Sequence, residues 1–200
     1  HFEAQSGKDA CVEMSGDLRT VAVSLTKIAN DIRWMGCGPR AGFAELKVPA
    51  VQPGSSIMPG KINPVIAESL LQVCAEVVGN DATVAWAGAS GSFELNVMMP
   101  VIAWNLLESS RLLANAVNMF EEKCVRGIEA DTQVCEGQIE KSLMLCTALV
   151  PIIGYDQSAK LAKEAYSRGL TIRQIVLEKK LVDEKTLSRV LNAKNMSSGD

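Results

Sequence analysis

The hydrophobic positions of this chain recur at helical spacing over long segments. In residues 6–34 the apolar side chains follow one another at intervals of four and three residues, at Met14, Leu18, Val21, Leu25, Ile28 and Ile32. Such a heptad-like stripe predicts one long amphipathic helix of a bundle, buried along that stripe. Ser6 is the expected N-cap, and Gly36 and Pro39 are expected to end the helix.

Further helical patterns follow an irregular segment. Residues 36–60 are so rich in Gly, Pro and Ser that they predict a long loop. A second helix is expected to begin with Asn63 as N-cap and Pro64 in the first turn, to end at Gly79-Asn80, and to be followed by a separate short one up to Trp86. Residues 93–126 predict a third long helix, in which Pro100 marks a kink or the true start.

Shorter elements follow residue 127. Helices are expected over residues 132–149, from Asp156 to a left-handed Gly169, and over residues 172–180 behind a Thr171–Gln174 capping box. A last short helix is expected to open at Asp183 or Glu184. No segment alternates between polar and apolar residues, so no strand is predicted. The pattern therefore predicts an all-α fold, with a long-helix bundle in residues 1–127 and a small helical domain in residues 128–200.

Composition excludes several functions. The chain has 20 Lys and Arg against 23 Asp and Glu and shows no basic stripe, so nucleic-acid binding is not expected. Its apolar runs are too short for a membrane span. The only histidine is His1, so the chain alone builds neither a Ser-His-Asp triad nor a His-based zinc site. The six cysteines lack CxxC spacing, which favours reduced, mostly buried thiols.

One segment combines several groups that bind anions. In the sequence GSSIMPGKINP, residues 54–64, a Gly- and Pro-containing loop enters a predicted helix start, where exposed N–H groups favour an anion. Ser55 and Ser56 add hydroxyls, Lys61 a positive charge and Asn63 an amide. The segment would suit a carboxylate or a phosphate, although Ile62 after Lys61 excludes a P-loop. By composition alone, a plain loop capped by Asn-Pro remains the alternative.

The same segment resembles the signature GSSxMPxKxN of the fumarase/aspartase superfamily at every fixed position. Flanking segments are similar to class II fumarases, namely residues 27–34, 79–81, 88–96, 142–149 and 153–156. The resemblance covers essentially the whole chain as the C-terminal portion of that longer family. Because the chain also begins without Met, we expect it to be part of a longer protein. Aspartase or another lyase of the superfamily is the alternative.

The resemblance implies reversible hydration of fumarate to L-malate without a metal, iron–sulfur cluster or other cofactor. It implies that Ser55 is the general base, that Ser56, Lys61 and Asn63 bind the substrate, and that Glu68 supports a catalytic histidine of another subunit. The spacing alone does not choose between Ser55 and Ser56. That histidine belongs to a region absent from this chain, and His1 does not match it.

The resemblance also implies a homotetramer with composite active sites, a dicarboxylate substrate, no nucleic-acid or membrane partner, and a cytoplasmic location or, in a eukaryote, the mitochondrial matrix. The isolated chain is expected to be inactive, and a non-catalytic helical oligomerisation module is the other alternative. Glu94 and Asn96 are interpreted as structural, and Trp86 and Trp104 as core or interface residues. The loop over residues 52–62 is expected to be mobile without ligand.

Overall fold

The computed structural model describes residues 2–54 and 57–197. The chain divides between Ala130 and Asp131 into two compact units. Ser55, Ser56 and His1 lie outside the described residues. The first unit extends beyond the expected boundary at residue 127, because Glu129–Ala130 pairs with a strand of that unit. Its elements, in chain order, are α1 (Glu3–Ser6), α2 (Asp9–Met35), β1 (Leu46–Lys47), α3 (Val65–Gly88), α4 (Met99–Lys123) and β2 (Glu129–Ala130).

The first long helix begins later than predicted and buries a different face. Ser6 belongs to the single turn of α1, and α2 starts at Asp9. The large side chains of the predicted stripe are exposed at Met14 (50%), Val21 (46%) and Ile28 (46%). The neighbouring small residues are buried instead, at Ser15, Ala22 and Ala29. Small side chains let two helices approach closely, and α2 packs this small-residue face into the core. For three of the six residues of the predicted stripe, the buried residue is therefore the next one in the sequence.

The second helix is one continuous element rather than two. α3 runs through Gly79-Asn80 because neighbouring helices satisfy its polar side chains. The Asn80 amide donates to Ser109 Oγ of α4 at 3.1 Å, and the buried Asp81 accepts from Ser15 Oγ of α2 at 2.7 Å. Hydrogen-bonded polar groups are tolerated in a core, whereas unpaired ones are costly. These pairs fix the register of α2, α3 and α4.

Two further differences concern the ends of elements. Pro100 lies in the first turn of α4, so of the two expected roles it marks the start of the helix. The loop after α2 is irregular as predicted, except that Leu46 pairs with Ala130 and Lys47 with Glu129 in antiparallel register. Strands of two residues are too short to show a period, and they lie outside the pattern that the sequence displays.

The second unit contains short helices around its own core. They are α5 (Thr132–Lys141), α6 (Val150–Ile153), α7 (Tyr155–Arg168), α8 (Ile172–Glu178), α9 (Glu184–Val190) and α10 (Ala193–Ser197). The predicted helix over residues 132–149 is broken after Lys141, with 3₁₀ turns over Leu143–Leu149. The left-handed Gly169 and the Thr171–Gln174 capping box are both present. Asp156 lies in the first turn of α7 and is not its cap.

All six cysteines fall within the described ranges, and none of them is part of a disulfide there. Cys74 and Cys124 lie in the core of the first unit, where burial raises the pKa of each thiol. No helix in the described ranges has the length and apolarity that a membrane span requires.

Candidate active site

The loop that carries the signature is closed at its base by hydrogen bonds. The Gly54 N–H donates to the Lys61 carbonyl at 2.9 Å, and the Asn63 side-chain amide donates to the Gly54 carbonyl at 2.6 Å. The sequence suggested that Asn63 caps α3, and this prediction was wrong. Pro64 occupies the N-cap position, and α3 begins at Val65 without a side-chain cap among the described residues. A primary amide has two N–H groups, and the second one of Asn63 donates to no acceptor among residues 2–54 and 57–197.

A cleft of about 290 Å³ opens beside the first turn of α3. We call it the α3 cleft, and its lining includes Arg33, Trp34, Cys37, Lys61, Asn63 and Glu68. The structure thus brings together three of the residues predicted for the site, namely Lys61, Asn63 and Glu68. A second cavity, of about 450 Å³, lies within the loop over residues 50–62 and shares Lys61 and Ile62 with the α3 cleft.

The charges around the α3 cleft favour an anion. The exposed Lys61 ammonium has no ion-pair partner in the part of the chain that the structure describes. Arg33 adds a second positive charge, and the N-terminal end of α3 adds the partial positive charge of its free N–H groups. Glu68 is the one carboxylate in the described lining. Two cations and a helix N-terminus against one carboxylate would attract a small acid.

Arg33 was not predicted as a site residue. It stands in the last turn of α2 and faces Glu68, with Nη2 3.8 Å from Glu68 Oε1. The two side chains are about equally exposed, at 38% and 39%. The sequence contains no spacing that links positions 33 and 68, because the contact depends on how the end of α2 meets the start of α3. The resemblance over residues 27–34 was the one signal that included Arg33.

The other predicted site residues differ in what can be said of them. Ser55 and Ser56 directly follow Gly54 in the sequence but lie outside the described residues. The Asn96 side chain is fully buried, donating to the Ala87 carbonyl at 3.0 Å and accepting from the Met98 N–H at 2.8 Å, in keeping with a structural role. Trp86 and Trp104 are exposed by 75% and 69%, so neither is a core residue of the unit.

Within residues 2–54 and 57–197, His, Cys, Asp and Glu side chains form no group of three that could hold a metal ion. Of the groups that line the α3 cleft, Lys61 and the Asn63 amide can bind a carboxylate, and Glu68 supplies a hydrogen-bond acceptor.

Comparisons with known proteins show which proteins this chain resembles. Residues 1–79 match the family model described as lyase, and residues 145–198 match the model described as fumarase C C-terminus. The chain is 52% identical over 184 residues to the class II fumarate hydratase of Mycobacterium tuberculosis, covering 92% of this chain and 39% of that protein. It is 47% identical to the class II fumarate hydratase of Bacillus anthracis, covering 98% of this chain and 42% of that protein.

A solved structure gives the same result. The class II fumarase of Schistosoma mansoni superimposes with a TM-score of 0.93 at 39% identity, covering 98% of this chain and 41% of that one. The chain thus spans about two fifths of the length of these relatives.

Proposed function

Because this chain belongs to the class II fumarase family and matches its C-terminal part, we propose that it carries the signature loop of a fumarate hydratase. That enzyme adds water reversibly to fumarate to give L-malate. The observation that carries the proposal is the α3 cleft, which combines Lys61, Asn63 and Glu68 beside a helix N-terminus. A dicarboxylate fits the excess of positive charge there.

In the proposed reaction, Ser55 acts as general base on malate. As its alkoxide, Ser55 takes a proton from the carbon next to one carboxylate and becomes a neutral hydroxyl, and the resulting aci-carboxylate carries two negative charges on that group. Lys61 and the free N–H of Asn63 stabilise this charge, together with Ser56 and the N-terminus of α3. Preorganised donors of this kind stabilise developing charge strongly where water is excluded. The hydroxyl then leaves as water after it receives a proton.

The proton donor is proposed to come from elsewhere. The one histidine of this chain, His1, does not match the family's catalytic residue. We assign the donor to a histidine of another part of the assembly, which Glu68 would orient and support electrostatically. The isolated 200-residue chain would then be inactive.

Exposed apolar side chains support a homotetramer in which such shared sites form. On the long helices of the first unit, large apolar residues point to solvent at Met14, Val21, Ile28, Trp86, Trp104 and Leu107. Patches of this kind on a single chain mark interaction surfaces. Further copies would cover them, which also explains the small-residue core face of α2: its large residues serve the interface instead. A non-catalytic helical module would use the same faces, and the activity test below separates the two.

The test is a chimera in which this chain replaces the matching part of the Mycobacterium tuberculosis class II fumarate hydratase. With L-malate as substrate, we expect absorbance of fumarate to develop. The Ser55→Ala variant should lose about 10²- to 10⁴-fold in kcat, the usual contribution of general acid–base catalysis. Lys61→Ala should raise the KM for L-malate, because it removes a contact to a carboxylate of the substrate.

Controls define what contradicts the proposal. Ser110→Ala removes a partly buried hydroxyl that donates to the Leu106 carbonyl within α4, and it should leave kcat unchanged. Wild-type turnover in Ser55→Ala would make the base assignment wrong. Release of ammonia from L-aspartate by the unmodified chimera, without hydration of fumarate, would favour aspartase.

A further inference from the structure

The guanidinium of Arg33 is only partly used by its neighbours. Its Nη1 donates to Asn30 Oδ1 at 3.0 Å, one turn earlier in α2. Its Nε is buried, and no acceptor among residues 2–54 and 57–197 lies within hydrogen-bond reach. Nη2, on the same edge as Nε, lies 3.8 Å from Glu68 Oε1, which is an ion-pair distance but too long for a hydrogen bond. A buried donor without a partner destabilises its surroundings.

Other arginines of this chain show how that edge is normally used. Arg111 binds Glu108 through Nε and Nη2, at 3.1 and 2.6 Å. Arg126 binds Glu121 through the same two atoms at 2.8 and 3.0 Å, and Arg173 binds Glu140 at 3.0 and 3.3 Å. A carboxylate receives this edge with two parallel hydrogen bonds, which fixes its plane as well as its position.

We propose that Arg33 is a positioning residue for Glu68, whose carboxylate it holds at the α3 cleft through its Nε–Nη2 edge. This inference rests on the proposed function for the role of Glu68, but not for the contact itself. Asn30 anchors Nη1, so the remaining edge is directed towards Glu68. A shift of under 1 Å would bring Nη2 within hydrogen-bond distance of Glu68 Oε1. A carboxylate that meets Nη2 on this edge can also accept from Nε.

The two cations of the α3 cleft therefore have different roles. Lys61 is exposed and unpaired in the described chain, so it is available to the substrate. Arg33 is engaged with Asn30 and Glu68 and acts on the reaction through Glu68. Loss of Arg33 should therefore lower kcat rather than raise KM.

The kinetic test uses the fumarate hydratase chimera described above. Arg33→Gln and Arg33→Lys should each lower kcat about tenfold with KM changed less than about twofold. Lysine keeps the charge but lacks the two-donor edge, so it should not restore kcat. The double variant Arg33→Gln/Glu68→Gln should be no slower than Glu68→Gln alone, because residues that act as a unit are not additive. Arg111→Gln removes an exposed pair of the same geometry and should leave kcat unchanged.

Three results would overturn the proposal. They are a kcat loss in the double variant equal to the product of the two single losses, a rise in KM without a loss of kcat, and a wild-type kcat in Arg33→Lys. An inactive chimera with unmodified Arg33 would instead reject the proposed function, and a second measurement decides the contact in that case.

That measurement is thermal unfolding of the complete 200-residue chain, followed by tryptophan fluorescence, since Trp34, Trp86 and Trp104 all belong to the first unit. The Tm losses of Arg33→Gln and Glu68→Gln should fall short of additivity in the double variant by about 1–3 °C. Arg111→Gln combined with Glu68→Gln should be additive. Additive losses for Arg33 and Glu68 would show that the two side chains do not interact.

Discussion

The side-chain amide of Asn63 donates a hydrogen bond of 2.6 Å to the main-chain carbonyl of Gly54, nine residues earlier. The Gly54 N–H in turn donates to the carbonyl of Lys61 at 2.9 Å. These two bonds join the ends of the signature loop, so that Asn63 serves both the loop and the α3 cleft. Asn63, which the sequence suggested as a helix cap and substrate ligand, therefore closes the segment that carries Ser55 and Ser56.

Asn63→Asp should open the loop. The carboxylate has no N–H to donate and sets an oxygen against the Gly54 carbonyl, so a bond of about 0.5–1.5 kcal/mol is lost. Hydrogen exchange of the Gly54 amide should accelerate by up to about tenfold, as measured by NMR. Asn118→Asp, on the exposed side of α4, is the matched control and should leave this amide unaffected. Unchanged exchange in Asn63→Asp would show that the Gly54–Lys61 bond alone holds the loop.

Gly54→Ala should damage the same closure sterically. An added Cβ would lie 2.3 Å from the Lys61 carbonyl oxygen and 2.8 Å from the Asn63 nitrogen, so the backbone must move. We expect a loss of about 1–3 kcal/mol in the free energy of unfolding of the first unit, followed by tryptophan fluorescence in urea. Gly79→Ala, in α3 with open space around the added Cβ, should instead gain about 0.5–1 kcal/mol. Equal stability of the two variants would contradict the close approach at Gly54.

Asp81→Ala should destabilise the first unit strongly. Asp81 is 6% exposed, and its carboxylate accepts from Ser15 Oγ at 2.7 Å and from Arg19 Nη1 at 2.8 Å. Its removal leaves the buried Ser15 hydroxyl unpaired and breaks the link between α2 and α3. The Arg19 side chain is 53% exposed and is hydrated again once Asp81 is removed. We therefore expect the free energy of unfolding, measured in urea, to fall by about 2–3 kcal/mol, at the low end for a buried pair.

Asp31→Ala is the control for that variant. Asp31 pairs with Lys27 on an exposed part of α2, and its loss should change stability by less than about 1 kcal/mol. Similar losses at Asp81 and Asp31 would mean that the buried network does not fix the helix register.

Acid should release the cap of α9 in the second unit. Asp183 accepts from the Thr186 N–H at 2.9 Å, and its hydrogen bonds to Thr186 lower the pKa of the carboxyl below its usual value. A lowered folded-state pKa means that the cap contributes fully above the unfolded pKa, about 3.9, and is lost as the pH falls through the folded value. The protection factor of the Thr186 amide should be constant from pH 7 to 5 and fall below about pH 4.

Asp183→Asn supplies the comparison, because asparagine caps a helix without titrating in this range. Its Thr186 protection should not depend on pH between 5 and 2. An acid-dependent loss of the same size in Asp183→Asn would assign the effect to another group.

Particular residues show which structural features could be predicted from the sequence. Gly169 and Thr171 take their conformations from local chemistry, namely left-handed backbone at a glycine and a side-chain cap at a helix start, and both were predicted correctly. Of the two residues expected to open the next helix, Asp183 is its cap and Glu184 its first residue. Met14, Val21 and Ile28 were expected in the core and are exposed, because periodicity identifies an apolar stripe but not which surface covers it. Asn80 and Asp81 were expected at a helix end and lie inside α3, because their partners are on other helices.

The candidate site divides in the same way. Lys61 and Asn63 were predicted because they belong to one short segment whose chemistry and signature are visible in the sequence, whereas Glu68 was predicted only through the family resemblance. Arg33 was not, since it lies 35 positions before Glu68 and reaches it only through the packing of α2 against α3. The hydrogen bond from Asn63 to Gly54 was also unforeseen, because the competition between capping a helix and closing a loop depends on where the loop ends meet.

The sequence by itself determined the all-α class, the signature loop and the residue types that bind an anion, because helical periodicity, capping and loop composition act over a few neighbouring positions. Only the tertiary structure decided which face of α2 is buried, that α3 is continuous, and that Arg33 joins the α3 cleft. Those properties depend on contacts between residues distant in the chain, whose free energies are set by packing and by the hydrogen-bond partners that packing supplies.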